Sequence, residues 1–202
     1  MSGKIGTVVG ATWRGKNIIR TLPRKSSKRA TGLQLNQRSK FRLISNFLRQ
    51  LNPLLNRYFG SKQGLKSRVN LALSYHLNEA TDQLDEQEQE FVVVMEKVIV
   101  SKGIFPSIVM ETVKIENENL TLSWVNYAGG TLAKDSDLLT VVVFNKHNQQ
   151  MQIFEKVALR KARQFTSQLP LGFDAANCVI WFFLTNEIDT ACSTSMLAVL
   201  SE

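Results

Sequence analysis

No aspartate or glutamate occurs before Glu79. The same 78 positions carry sixteen Lys and Arg, and residues 79–202 carry the other nine with all 17 acids, so the two parts bear formal charges of +16 and −8. Such asymmetry in a folded chain points to an anionic partner for the first part. Cysteine is nearly missing too. Cys178 and Cys192 are the only two, which excludes a disulfide framework and suits buried free thiols on adjacent strands. Histidine is limited to His76, in a helical stretch, and His147, in the turn "NKHNQ". A zinc site needs about four N or S ligands at suitable spacing. Two cysteines and two scattered histidines do not supply them. Asp135 and Asp137 before a strand are a remote candidate for a cation. No catalytic residue, metal or cofactor is therefore expected, and the chain reads as non-enzymatic.

Long apolar runs are also lacking. Nothing reaches the roughly 18 residues of a membrane-crossing helix. The opening "MSGKIGTVVGATWRGK" has no apolar stretch of about 7 to 15 residues before a small-residue cleavage site. No membrane insertion and no secretory signal are expected, and the expected location is the cytoplasm or a particle assembled there. What is present is a chain of 202 residues, 44% hydrophobic, with a charged fraction of 21% and three Trp. That is enough for one ordinary domain with an appendage, or two small domains, and it argues against global disorder.

The stretch "GATWRGKN", residues 10–17, is one letter short of a phosphate-binding loop. Gly10, Gly15 and Lys16 fit, but Asn17 stands where a magnesium-binding hydroxyl belongs. A phosphate loop must also run into a helix. Here "NIIRTLP" is β-branched and stopped by Pro23. Residues 4–22 instead read as a β-hairpin with a turn at Trp13–Asn17.

Residues 23–30, "PRKSSKRA", form a basic linker. Thr31 opens a capping box with Gln34. Phe41, Ile44, Phe47, Leu48, Leu51, Leu54, Leu55 and Tyr58 then recur at helical spacing on one face. Asn52-Pro53 implies a kink or fresh start, with Asn52 as the cap, and Gly60 a stop. A further helix fits 65–80, so a helical hairpin is expected. Residues 81–90, "TDQLDEQEQE", read as an acidic connector in which Glu86, Glu88 and Glu90 serve solvation. Afterwards come short β-rich runs: "FVVVMEKVIVS", "ENLTLSWV", "DLLTVVVFN", "QMQIFEKVAL", "RQFTSQL", "NCVIWFFLT" and "TSMLAVLS". About seven strands fit a β-sandwich of immunoglobulin or fibronectin type. Trp124 and the Trp181-Phe182-Phe183 cluster are its expected core. The expected fold is thus α+β: a basic β-hairpin arm and linker (1–30), a helical hairpin (31–80), a connector (81–90) and a sandwich (91–202).

Gly3-Lys4-Ile5-Gly6, Trp13-Arg14-Gly15, Arg20-Thr21-Leu22-Pro23, and Thr31, Gln34, Gln37, Arg38 and Phe41 form a connected pattern. It resembles an uncharacterised family found mainly in Bacteroidota. Lys28-Arg29-Ala30 departs from that family's Pro-containing segment. The resemblance implies a hairpin, a helix and a C-terminal sandwich, and carries no activity. The hairpin–linker–helix arrangement is also similar to short proteins encoded among prophage structural genes.

The basic segment is the chief functional signal. One reading is a docking arm of a structural or assembly subunit in a phage-like multi-protein particle. Its partner is then an acidic protein surface, including other copies of the chain. Trp13, Arg14, Lys16, Arg20, Arg24, Lys25, Lys28, Arg29 and Arg38 are the candidate docking residues. Ile5, Val8, Ile18 and Ile19 are candidates for strand pairing with the partner. The alternative is sequence-nonspecific nucleic-acid binding by the same bases, with salt-sensitive affinity and stacking on Trp13 and Tyr58. No helix-turn-helix, RNA-recognition or zinc-finger signature is present.

Overall fold

The computed structural model describes residues 3–13, 15–23, 29–61, 63–64, 66–85, 90–129 and 131–201. The arm is three strands rather than a simple hairpin: β1 (Gly3–Ile5), β2 (Val8–Trp13) and β3 (Lys16–Thr21), antiparallel in the order β1-β2-β3. Tight connections join Ile5 to its partner Val8 and Trp13 to its partner Lys16. Gly6 at φ +58° and Gly15 at φ +78° make both turns possible, since such connections need positive φ. "GATWRGKN" is therefore the second hairpin of this sheet.

Three helices follow where a two-helix hairpin is expected. They are α1 (Gly32–Arg49), α2 (Asn52–Tyr58) and α3 (Arg68–Glu79). The capping box forms: the Thr31 hydroxyl accepts the Gln34 N–H at 3.4 Å, and the Gln34 side chain accepts the Thr31 N–H at 3.2 Å. Pro53 sits in the first turn of α2, but Leu51 rather than Asn52 is the capping residue. Ser67 caps α3 by accepting the Asn70 N–H, so that helix starts later than residue 65. The acidic stretch after it is not plain connector. Its ends pair as β4 (Thr81–Asp85) and β5 (Glu90–Val93), because β5 can bury Val93 in the helical core while facing β4.

The C-terminal part is a β-sandwich, and with the arm and helices it makes the chain α+β. Its strands are β6 (Val109–Glu116), β7 (Asn119–Val125), β8 (Leu138–Asn145), β9 (Gln150–Leu159), β10 (Gln164–Gln168), β11 (Cys178–Thr185) and β12 (Met196–Ala198). They form two antiparallel sheets, ordered β10-β7-β6 and β12-β11-β8-β9. The strand total matches expectation through two offsetting differences. "FVVVMEKVIVS" yields only β5 and a 3-10 turn at Met95–Lys97, while β6, whose sequence "VMETVKIE" was not among the expected runs, supplies a strand.

In the β12-β11-β8-β9 sheet the central strands β8 and β11 are buried on both faces. Val141, Val143, Ile180 and Phe182 point toward Leu122 and Trp124 of the opposite sheet. Val142, Phe144, Trp181 and Phe183 point the other way, into the helices. Phe47 of α1 meets Phe144 edge-on with ring centroids 5.3 Å apart, and Tyr58 of α2 meets Phe183 at 5.1 Å. Successive strand residues alternate faces. Trp181 and Phe183 therefore cannot share the Trp124 core with Phe182, contrary to expectation. Helices and sandwich share this second core, so 31–80 packs as a layer on the sheet.

Truncating Phe47 to Ala is expected to cost about 3–5 kcal/mol in denaturant unfolding, by emptying the helix–sheet core. Ile19→Ala in the arm is expected to stay within about 0.5 kcal/mol, because 74% of that residue is exposed.

Candidate interaction surface

None of the arm's described residues belongs to either buried core. Its register sorts its side chains onto two faces, since cross-strand partners share a face. One face carries Ile5 opposite Val8 opposite Thr21, then Gly3, Gly10 and Ile19, then Thr12 opposite Asn17. The Thr12 hydroxyl donates to Asn17 Oδ1 across the strands at 3.1 Å. This face has no charge and leaves Ile5 82% exposed. The other face carries Lys4 opposite Val9 opposite Arg20, then Ala11 opposite Ile18, then Trp13 opposite Lys16. It is basic, with an aromatic at one end. Lys4, Lys16, Arg20 and Trp13 are all exposed.

The four candidates for strand pairing thus divide. Ile5, Val8 and Ile19 share the uncharged face, and Ile18 lies on the basic one. Val8 sits in the central strand, which is paired on both sides, so strand addition is open only at β1 and β3. Arg14, Arg24, Lys25 and Lys28 lie outside the described residues. Arg29 is exposed ahead of the α1 cap. Arg38 lines a shallow depression of about 460 Å³ on α1 with Gln37, Phe41, Arg42, Ser45 and Asn46. Phe41 is expected on the buried stripe but is 47% exposed, because α1 buries only Ile44, Phe47 and Leu48, all in its second half.

Some bases are committed within the chain. Arg57 reaches Glu155 at 3.0 Å and Asp189 at 3.2 Å, and Asp189 also accepts Lys156 at 3.1 Å and the Tyr58 hydroxyl at 2.9 Å. This cluster ties α2 to β9 and to the loop after β11. Burial opposes the charge on Asp189, but its bonds from Tyr58 and Lys156 and the nearby Arg57 outweigh that and hold its carboxyl below the usual range. Burial first, then the Asp189 bond, pushes the Tyr58 phenol well up. Its hydroxyl is used here and its ring packs on Phe183, so it is not an open stacking group. Arg68 donates to the carbonyls of Asn56 and Arg57.

Chemistry-bearing groups elsewhere are placed structurally. Asp137 is buried and pairs with the buried Arg160 at 3.0 Å, and Arg160 also donates to the carbonyls of Pro106 and Ser107. The positive charge beside Asp137 is thus a guanidinium of its own chain. Asp135 accepts from Asn126. Among the described residues no group of three or more His, Cys, Asp and Glu could hold a metal ion. Both cysteines are buried and free. Cys178 begins β11, whereas Cys192 lies in the loop before β12 and donates to the Tyr58 carbonyl. Burial pushes each thiol up to about 11. His147 is exposed. His76 is buried in α3, with Nδ1 2.7 Å from the Ala72 carbonyl.

The surface that sequence reasoning missed is the β4–β5 hairpin. Glu90 and Val92 share one side of β5, and Val92 pairs with Asp82, while Val93 turns inward. Leu84 is 64% exposed on the same hairpin. The signal was the abrupt "FVVV" after the acids, which gave β4 a strand to pair with.

These features define an α+β protein in which helices cover one face of a β-sandwich and a basic β-arm lies outside both cores. No helix among the described residues is long and apolar enough to cross a membrane. Residues 1–196 match the sequence model of a family of unknown function, DUF6266, and the chain belongs to that family. No curated protein matches the chain.

Burial lowers the His76 pKa from 6.5, against the pull of the Ala72 and Ile99 carbonyls. The unfolded chain therefore binds this proton more readily, and stability falls as pH drops below about 6.5. Denaturant midpoints between pH 7.5 and 5.5 are expected to show that slope, and His76→Phe to flatten it. Arg160→Ala is expected to cost about 3–5 kcal/mol by leaving Asp137 buried and unpaired, read from the same unfolding curves.

Proposed function

We propose that this chain is a non-enzymatic structural or assembly subunit of a phage-like multi-protein particle, which docks through its N-terminal arm onto an acidic protein surface. The observation that carries this reading is the arm itself. It is a paired sheet of its own, yet it covers nothing in either core. A sheet with Ile5 and Ile19 open to water has apolar area available to a partner. Its basic face suits an acidic surface, and its β1 and β3 edges suit strand addition. The sandwich, as an immunoglobulin-like module, offers a second surface. In this reading the particle is assembled in the cytoplasm.

A second reading is nonspecific nucleic-acid binding, favoured by the row of Trp13 and Lys16 beside Arg20 and Lys4. Stacking and phosphate neutralisation would use that face. The uncharged face gives phosphate nothing to bind, so assembly is preferred.

Light-scattering mass across a salt series, with absorbance at 260 and 280 nm, separates the two. The comparison is full-length protein against a chain starting at Ala30, which keeps the capping box and both cores. The full chain is expected to form a defined oligomer free of nucleic acid at low salt, and the shortened chain to be monomeric. A full-length monomer that releases nucleic acid steeply as salt rises would overturn the assembly reading.

A further inference from the structure

We infer that the arm's acidic partner is the β4–β5 hairpin of a second copy of this chain, contacted by the arm's basic face. This rests on the assembly reading and names the surface it uses.

Charge complementarity selects the hairpin. The stretch Glu79–Glu96 holds seven acids and no Lys or Arg, the densest acidic run in the chain. It confronts an arm that has no acid at all. β5 packs Val93 against the helices, so Glu90 and Val92 of the same strand face outward with Asp82 opposite Val92. Leu84 adds exposed apolar area there. The outward face is thus carboxylates around an apolar patch. The arm's basic face is its counterpart: Lys4, Lys16 and Arg20 around Val9, Ala11 and Ile18, with Trp13 at one end.

The spans agree. Lys4 and Arg20 flank Val9 across three strands, about 10 Å apart at ordinary strand spacing. Asp82 and Glu90 stand diagonally across two strands, about 8 Å apart by the same spacing. The hairpin also gains from a cover. β4 and β5 pair only with each other, and of the two sides of the ribbon only the one with Val93 is packed on the helices. Lys4, Lys16 and Arg20 are exposed, and so are Asp82, Leu84 and Glu90, so both faces are open to a second copy. Each copy therefore has one arm to give and one hairpin to offer, which is a head-to-tail contact.

Two full-length variants test it. One neutralises the arm face (Lys4→Gln, Lys16→Gln, Arg20→Gln) and keeps the hairpin. The other keeps the arm and neutralises the outward hairpin face (Asp82→Asn, Glu90→Gln). Unchanged circular dichroism and denaturant midpoints check that both fold. By light-scattering mass at low salt, each variant alone is expected to be monomeric. Their equimolar mixture is expected to give a pair and nothing larger, because it retains one working arm and one working hairpin. An oligomer of unaltered mass from the hairpin variant would sink the inference and leave the assembly reading standing, since the arm would then dock elsewhere. Two monomers that do not pair on mixing would sink it as well. A monomeric wild-type chain would instead remove the assembly reading, and this inference with it.

Discussion

The central strands β8 and β11 must be dry on both faces, and the rest of the fold follows from that requirement. Odd and even positions of β8 and β11 are alike apolar, so neither side tolerates water. The β10-β7-β6 sheet covers one side through Trp124 and Leu122. The other side would stand open without α1 and α2, whose Phe47 and Tyr58 seat on Phe144 and Phe183. The helices are thus a third layer over one core, and the Arg57–Asp189–Lys156 cluster fixes that layer at its rim. The sandwich order places the first, second and fifth strands in one sheet and the other four in its partner. Beside an immunoglobulin constant arrangement, the fourth strand has changed sheets, joining the third. That move widens the sheet which the helices must cover.

Much of the architecture was legible in local pattern. The capping box at Thr31 and Gln34, the stop at Gly60 and the arm's second turn are short-range devices, and they appear where their residues stand. Six of the seven sandwich strands announce themselves as apolar runs. What escaped were long-range facts. The alternation in "VMETVKIE" is half-buried and contains three charges, so its strand is visible only beside β7. Trp181 and Phe182 are neighbours in sequence, and only the presence of a helical layer assigns them to different cores. The unbroken "LLTVVVF" and "VIWFFL" runs were the available sign that both sides of the sheet would be covered. The Arg57 and Asp137 pairings depend on residues far away in sequence, beyond any spacing rule.

The candidate surface was legible by charge but not by face. Counting bases marks the first part of the chain. It does not say that Arg57 and Arg68 are already engaged, nor that Ile18 and Ile19 point apart. Register decides both the uncharged face and the basic one, and a shift of one residue would exchange them. The acidic hairpin is the converse case. Its composition suggested solvated connector, and pairing with "FVVV" turned it into a shaped surface.

The two-sided burial of the central sheet also has a consequence in time. α1 leaves the ribosome long before β8 does, since Phe144 is made about 100 residues after the Phe47 it covers. At ordinary synthesis rates that is about 5–20 s. Through that interval the helical stripe of Ile44, Phe47, Leu54 and Leu55 has no sheet to lie on. The first 78 residues made lack acids, so until Glu79 is added the nascent chain carries charge of one sign. A lopsided charge thereby bears on unfinished chains as well as on the finished protein.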